Sequence, residues 1–209
     1  MPPSHPGKSP SIKDPFIELS MKGYGLIAAT DEVMRGCLAG PVVAAAVIMP
    51  FPCGIEGIRD SKKLTDKKRR ILSAEIKKNV LSWNIQEVSV SEIDTIGIQR
   101  ASILAMTKAV KNLSVKPEFV LIDGKISLPL PIPQKGFIRG DDISIAIGAA
   151  SIIAKVYRDD LMIELDKTFP GYGFPSHKGY GTELHCSLIK RLGPSTIHRT
   201  TFAKVKEFV

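Results

Sequence analysis

The chain has 209 residues, a length suited to one domain with a substantial core. Hydrophobic residues make up 44%, charged residues 24% and aromatic residues 6%, which excludes a disordered chain and a disulfide scaffold. The 29 Lys and Arg outnumber the 21 Asp and Glu and give a net charge of +8, which favours a polyanionic partner.

Residues 1–20 are rich in Pro, Ser, Gly and Lys and predict a disordered tail without the apolar core of a signal peptide. The longest apolar run, 38–51, is interrupted by Gly and Pro and falls short of the roughly 18 residues that a membrane span needs. The three cysteines lack C-x-x-C spacing and predict free thiols: Cys37, Cys53 and Cys186. We therefore expect a cytoplasmic monomer with no membrane partner.

Strand and helix patterns alternate along the chain, which predicts an α/β fold in one domain over residues 21–209. Two apolar runs at 23–30 and 41–49 flank a Gly-containing stretch and predict a hairpin, so the sheet should be mixed. The other predicted elements are strands at 83–90 and 119–123, and helices at 66–78 with Thr65 as N-cap, at 96–113 and at 143–167.

Acidic residues stand where apolar strands end or helices begin: Asp31 and Glu32, Asp123, and Asp141 and Asp142. Carboxylates at the tips of neighbouring strands repel each other unless a cation lies between them. Oxygen ligands without His or Cys favour Mg²⁺ or Mn²⁺, and two such ions about 3.5–4 Å apart suit phosphodiester hydrolysis. Any single acid could instead cap a helix or lie on the surface, but this alternative is weaker for Asp31 and Asp123, which follow buried strands.

Basic residues concentrate in two segments. Residues 59–78 hold nine Lys or Arg against three acids, and residues 185–209 hold five against one. Both segments could be solvated helix faces, but the polar turn at Lys62 is suited to contacting phosphate. Tyr172 and Tyr180, each flanked by Gly, could stack on a sugar or base or pack over the core. Three histidines without ligand spacing are expected to have ordinary polar roles: His177, His185 and His198.

Six motifs between residues 24 and 202 resemble ribonuclease HII, the bacterial type 2 ribonuclease H. In chain order they are IAATDEVMRGCLAGPVVAAAVI, RDSKKLT, VLIDG, RGDDISIAIGAASIIAKVYRD, FPGYGFPSHKGYGT and GPSTIHRTTF. The resemblance implies a ribonuclease H-like fold: a mixed five-stranded sheet with helices on both faces and a small helical C-terminal extension from about residue 170.

The resemblance also implies an activity and its cofactor. The family cleaves the RNA strand of RNA/DNA hybrids and cuts duplex DNA 5′ to single ribonucleotides, leaving 3′-hydroxyl and 5′-phosphate ends. Two Mg²⁺ or Mn²⁺ ions serve the reaction, and their ligands fall here on Asp31, Glu32, Asp123 and Asp141.

Further residues match family motifs that contact substrate. Tyr180 matches the tyrosine that stacks on the sugar beside the scissile junction, and Arg35 and Gly36 match a Gly-Arg-Gly loop whose main chain reads the 2′-hydroxyl. Ser61 and Lys62 match a phosphate-contacting turn. Because the 2′-hydroxyl distinguishes RNA from DNA, a close backbone approach suits this reading.

The chain departs from the family pattern in that loop. Met34 stands in place of the first Gly and Cys37 in place of the usual Pro. If the position has a positive φ or lies against substrate, Met adds strain and bulk. We expect metal binding to survive while activity or ribonucleotide selectivity falls.

Other interpretations remain open. One is a nucleic-acid-binding module silenced by Met34, and another is a nuclease or transposase that cuts DNA without ribonucleotides. A type III ribonuclease H would carry a sizeable N-terminal binding domain, whereas only some 20 residues precede the first predicted strand here, so type II is preferred.

Overall fold

The computed structural model describes residues 14–58 and 64–209. Its centre is a five-stranded sheet with the strand order β3-β2-β1-β4-β5. The strands are β1 (Ile27–Val33), β2 (Val42–Ile48), β3 (Ser82–Val88), β4 (Phe119–Asp123) and β5 (Gln134–Phe137). β2 is antiparallel to both β1 and β3, whereas β4 is parallel to both β1 and β5. The predicted hairpin and mixed sheet are therefore confirmed.

Helices cover both faces of this sheet. They are α1 (Pro15–Met21), α2 (Asp66–Asn79), α3 (Val90–Ile96), α4 (Ile98–Lys111), α5 (Gly140–Ile143), α6 (Ile145–Thr168), α7 (Phe174–His177), α8 (Glu183–Leu192) and α9 (Ala203–Lys206). None of the helices in the described ranges combines the length and apolar character that a membrane span requires.

Alternating strand residues build two cores. Ala29, Ala45 and Leu121 face α6, while Ala44 and Ile122 belong to the core on the α4 side. All seven residues of β2 are buried, as expected for a strand covered on both faces. Small residues in β2 and the first half of α6 allow this long helix to lie close to the sheet. Its position fixes the side chains that it carries toward the strand ends.

Helix boundaries follow local capping. The Thr65 hydroxyl accepts the Lys68 amide and starts α2, as predicted. The predicted helix at 96–113 corresponds to α4, which begins after Gly97 with its φ of 81°. The short helix before that glycine, α3, was not predicted. β5 has no counterpart among the predicted elements.

The prediction of a disordered tail to residue 20 is wrong for residues 14–20; residues 1–13 lie outside the described part. Asp14 caps α1 by accepting the Phe16 amide at 2.9 Å, and Pro15 occupies the first turn. Phe16 is only 1% exposed and packs edge-on against Phe51. Burial of this aromatic ring, together with an Asp-Pro helix start, outweighs the polar composition of the neighbouring residues.

The predicted C-terminal extension is helical and packs beside the loop between β1 and β2. α7, α8 and α9 supply its helices, and two isolated bridges join the extension to that loop: Cys37 with Tyr180, and Ala39 with His198. The extension thereby reaches the end of the sheet where the acidic residues converge.

Candidate active site

Strand register brings two acidic residues side by side. In the parallel pair β1 and β4, Thr30 is opposite Ile122, so the next residues, Asp31 and Asp123, are adjacent. Both strands are apolar up to this point, which leaves the carboxylates at the edge of the core. The predicted convergence of acids from these two strands is present in the structure.

Glu32 joins this pair. One carboxylate oxygen each from Asp31, Glu32 and Asp123 lies within 4.8 Å of the other two. The sequence placed Asp31 and Glu32 after the end of the first strand, but both lie within β1. Their ladder partners are Ala45 and Ala44, whose small side chains leave the acidic groups uncrowded.

The acidic cluster strongly disfavours negative charge. Burial, followed by the charge of Asp123, raises the pKa of Asp31 well above its usual range, although the Ser151 hydroxyl and Lys155 oppose the shift. Burial also raises the pKa of Glu32 to about 7, with the Arg35 guanidinium acting in the opposite direction. In the absence of a cation, Asp31 and Glu32 therefore hold protons that isolated carboxyls would lose.

Asp123 is fixed by the segment that follows β5. The Gly140 amide donates to its Oδ1 at 2.6 Å. A Cβ at position 140 would lie 2.6 Å from Ile147 Cδ1 and 3.2 Å from the same Asp123 oxygen. Glycine thus leaves room for the main chain to approach the carboxylate closely, whereas a Cβ would force Ile147 and Asp123 to shift.

Asp141 lies near the cluster but is not one of its three converging members. Its Oδ2 is 3.8 Å from Lys155 Nζ, which also acts on the charge of Asp31. Asp142, the neighbouring acid, is exposed. The selection of Asp141 over Asp142 as a fourth ligand stays a prediction.

The chemistry of the cluster fits a hard divalent cation. Its donors are all carboxylate oxygens, and Glu32 Oε2 is buried without a hydrogen-bond partner in the described part of the structure. A buried acceptor of this kind is costly unless a cation or donor reaches it. Asp31, Glu32 and Asp123 could therefore hold a metal ion.

The loop carrying Met34, Arg35 and Gly36 begins directly after β1. Met34 has φ 74°, so the positive angle considered from the sequence is present. Its side chain is only 1% exposed and packs into the core, with Cε close to Gly40. The bulk of Met34 therefore points away from the surface, and this residue could meet a substrate only through its main chain. A Cβ at Gly36 would have no neighbour within 4 Å among the described residues.

Tyr180 lies beside this loop with 43% of its surface exposed. The Leu38 amide donates to the Gly179 carbonyl at 2.7 Å, which fixes the tyrosine segment against the loop. Arg158 on α6 donates to the tyrosine hydroxyl at 3.4 Å. The structure thus brings the Tyr180 ring, the Arg35–Gly36 main chain and the acidic cluster to one end of the sheet.

The basic segments contribute less free charge than their sequence indicates. Arg70 pairs with Asp66 on its own helix, α2, and with Asp160 on α6. Arg199, counted with the C-terminal basic segment, is fully buried and so is no part of a phosphate-binding surface. Ser61 and Lys62 lie outside the described residues.

Three side chains near the cluster were missed from the sequence. Ser151, Lys155 and Arg158 lie at spacings of four and three on α6 and therefore share the helix face directed at Asp31, Asp141 and Tyr180. Their spacing could have indicated them from the sequence, because it places three polar side chains on one face of a helix that begins just after Asp141 and Asp142.

Comparisons with known proteins identify the family of the chain. The family profile described as Ribonuclease HII matches residues 28–205. Ribonuclease HII of Geobacter sulfurreducens is 48% identical over 95% of this chain and 91% of its own length, and that of Syntrophotalea carbinolica is 46% identical over 91% of each.

Solved structures share the fold. The ribonuclease H2 of Pyrococcus horikoshii has a TM-score of 0.75 at 23% identity, covering 88% of this chain and 96% of its own. A structure titled Bst-RNase HIII in complex with Mn²⁺ has a TM-score of 0.68 at 19% identity, covering 90% and 71%. With the fold and relatives of nearly 50% identity in agreement, the chain belongs to the ribonuclease HII family and is a metal-dependent type 2 ribonuclease H.

Proposed function

We propose that this enzyme hydrolyses the RNA strand of RNA/DNA hybrids and cuts duplex DNA 5′ to single ribonucleotides, leaving 3′-hydroxyl and 5′-phosphate ends. The observation that carries the proposal is the convergence of Asp31, Glu32 and Asp123 beside an exposed tyrosine and an open Gly36. An acidic cluster alone would serve many nucleases, whereas the adjoining loop and ring suit the reading of a ribose.

We propose two Mg²⁺ or Mn²⁺ ions as cofactors, held by Asp31, Glu32, Asp123 and Asp141. When bound, such ions lower the pKa of water and stabilise the departing oxygen of a phosphodiester. The residues themselves supply the negative charge that attracts the ions, and Gly140 holds Asp123 in place. Lys155, 3.8 Å from Asp141, adds a positive charge that favours the ionised form of Asp31.

Substrate recognition is assigned to two adjoining main-chain segments. The loop amides and carbonyls at Met34, Arg35 and Gly36 contact the 2′-hydroxyl, and Tyr180 stacks on the adjacent sugar. Ser61 and Lys62 are proposed, from their sequence motif, to contact phosphate. The enzyme acts as a monomer in the cytoplasm, where its free cysteines stay reduced. Its catalytic domain includes residues 14–20 as well as the predicted 21–209, because Asp14 and Phe16 belong to the fold.

The alternative of a binding module silenced by Met34 is less favoured. Its main reason was steric bulk against the substrate, and the buried position of the Met34 side chain removes that reason. The remaining positive φ is a local cost that the surrounding packing supports.

The test uses three duplexes: one with a single ribonucleotide, an RNA/DNA hybrid and an all-DNA control, each with Mg²⁺, Mn²⁺ or chelator. We expect both ribonucleotide-containing duplexes to be cut in metal, the DNA control to stay intact and chelator to stop the reaction. Cutting of the DNA control would favour a different nuclease, and binding without cutting would favour the silenced module.

Asp31→Asn ties the activity to the site, since it removes one ligand charge with little change in shape. The matched control is Asp142→Asn, the same chemical change at an exposed acid. Loss of cutting in the first variant and retention in the second supports the assignment. Equal loss in both would remove the distinction between Asp31 and a surface acid.

A further inference from the structure

Arg199 is a fully buried arginine whose contacts are unusual. Its Nε donates to the Gly40 carbonyl at 3.0 Å, Nη1 to the Arg35 carbonyl at 3.1 Å and Nη2 to the Pro41 carbonyl at 3.1 Å. The guanidinium also lies 5.1 Å from the Phe202 ring. Within residues 14–58 and 64–209, no carboxylate forms a salt bridge with it.

A buried charge is normally paired with an opposite charge, because desolvation disfavours it. Here main-chain carbonyls take that place, and burial lowers the Arg199 pKa to about 10, which keeps the group charged at neutral pH. The planar guanidinium matches three carbonyls in fixed directions, which a lysine ammonium cannot reproduce. Its geometry is therefore transmitted to the main chain that it contacts.

That main chain is the loop joining β1 to β2. The Arg35 carbonyl lies at its exposed tip, while Gly40 and Pro41 lie where it enters β2. The amide of Arg199 also donates to the Leu38 carbonyl at 2.8 Å, and the Gly40 amide donates to Ile197. One C-terminal segment thus holds the loop at both ends and in the middle.

The residue before Arg199 reaches the tyrosine segment. His198 Nε2 is 3.1 Å from His185 Nε2, and His185 Nδ1 is 2.9 Å from the Tyr180 carbonyl. The Ser195 amide donates to His198 Nδ1, so an N–H of His198 faces His185 and an N–H of His185 faces Tyr180. Adjacent residues of one segment therefore fix both the loop and the tyrosine.

We infer that Arg199 is a positioning residue for ribonucleotide recognition: its guanidinium sets the conformation of residues 35–41 and hence how that loop meets a ribose 2′-hydroxyl. The inference rests on the proposed function of the loop. A single ribonucleotide offers only one 2′-hydroxyl, so cutting beside it depends on the position of the loop. In a continuous hybrid a displaced loop still meets a 2′-hydroxyl.

The experiment compares Arg199→Lys with the wild type on both substrates. We expect the rate on the single-ribonucleotide duplex to fall about tenfold more than the rate on the hybrid, since small misplacements are costly in catalysis. Mn²⁺ affinity, measured by calorimetry, should stay unchanged. Hydrogen exchange of the amides of residues 35–40 should accelerate, which reports on the loop independently of cutting.

Two further variants separate positioning from general destabilisation. Met106→Ala opens the core between α4 and the sheet, on the face away from Asp31, and leaves the hydrogen bonds of Arg199 in place. It should lower the melting temperature without changing the ratio of the two cleavage rates. Asp94→Ala removes the acceptor of the Thr200 and Thr201 hydroxyls and so loosens the segment that carries Arg199. It replaces Arg199→Lys in the comparison if Arg199→Lys does not fold. It should also lower the rate on the single-ribonucleotide duplex more than the rate on the hybrid.

The inference would be overturned if the folded Arg199→Lys variant showed the wild-type ratio of cleavage rates and wild-type amide exchange in the loop. If Arg199→Lys does not fold, the same result in Asp94→Ala would overturn it. In both cases the proposed function would still stand. A wild type that cuts neither substrate would instead overturn the proposed function, while the exchange data still decide whether Arg199 fixes the loop.

Discussion

Arg35 Nη1 lies 3.2 Å from Glu32 Oε1, which links the loop to the acidic cluster through a half-exposed ion pair. The other oxygen of Glu32 is buried within the cluster. The Glu32 carboxylate therefore faces both the proposed recognition loop and the proposed metal site, so its ionisation affects the ion pair with Arg35 as well as metal binding.

Metal affinity should rise with pH across neutrality. The pKa of Glu32 is raised to about 7, so a cation must displace its proton below that pH. We expect Mn²⁺ affinity, measured by calorimetry at pH 6, 7 and 8, to increase, with proton release that declines as pH rises. Arg35→Gln removes a charge that lowers this pKa and should move the transition to higher pH. Affinity independent of pH would contradict this origin of the raised pKa.

Asp31→Asn should stabilise the metal-free protein. A carboxyl whose pKa is raised on folding favours the folded state at low pH, and this contribution is lost as pH rises through the folded-state pKa. At pH 8 in chelator, we therefore expect the neutral variant to unfold at a higher urea concentration than the wild type. Urea unfolding measures the gain. It should shrink toward pH 5, and Asp142→Asn should show none.

Tyr180 should act through its ring. Tyr180→Ala is expected to lower kcat/KM for the single-ribonucleotide duplex about 10- to 100-fold, the effect of losing one stacking contact. Tyr180→Phe keeps the ring and loses the hydroxyl contacts with Arg158 and Cys37, so it should stay close to the wild type. Single-turnover cleavage with Mn²⁺ held constant measures both. A Phe variant as impaired as the Ala variant would place the function in the hydroxyl.

Met34→Gly should cost stability. Relief of the positive φ contributes about 1 kcal/mol, whereas deletion of a buried methionine side chain costs about 2–5 kcal/mol. We expect a net loss in urea unfolding and, well below the melting temperature, similar cleavage of the single-ribonucleotide duplex. The buried side chain thus favours retained activity over the decrease expected from the sequence. Faster cleavage by the Gly variant would show that strain at residue 34 reaches the substrate.

The strand-end acids could be predicted because apolar runs ending in carboxylates are a local signal. Asp31 and Asp123 follow from this pattern without any family resemblance, and the parallel register of β1 and β4 brings them together. The start of α2 was equally local, since Thr65 caps it. Features of this kind depend on neighbours in the sequence.

The role of Arg199 could not be predicted in the same way. Its partners lie more than 150 residues away, and as main-chain carbonyls they leave no trace in side-chain type. β5 was missed because its four residues lack apolar bulk and gain their conformation from pairing with β4. Both features depend on tertiary contacts that override local composition.

Asp14 joins the beginning of the described chain to its longest helix. While one oxygen caps α1, the other accepts the Ile145 amide at 2.9 Å, where α6 has no cap from its own Ser144 side chain. The first turn of the helix that carries Ser151 and Lys155 is thus secured from outside. Trimming the protein to residue 21, as its polar beginning would invite, would uncap α6 and expose the pocket left by Phe16. A shortened enzyme should therefore retain Asp14.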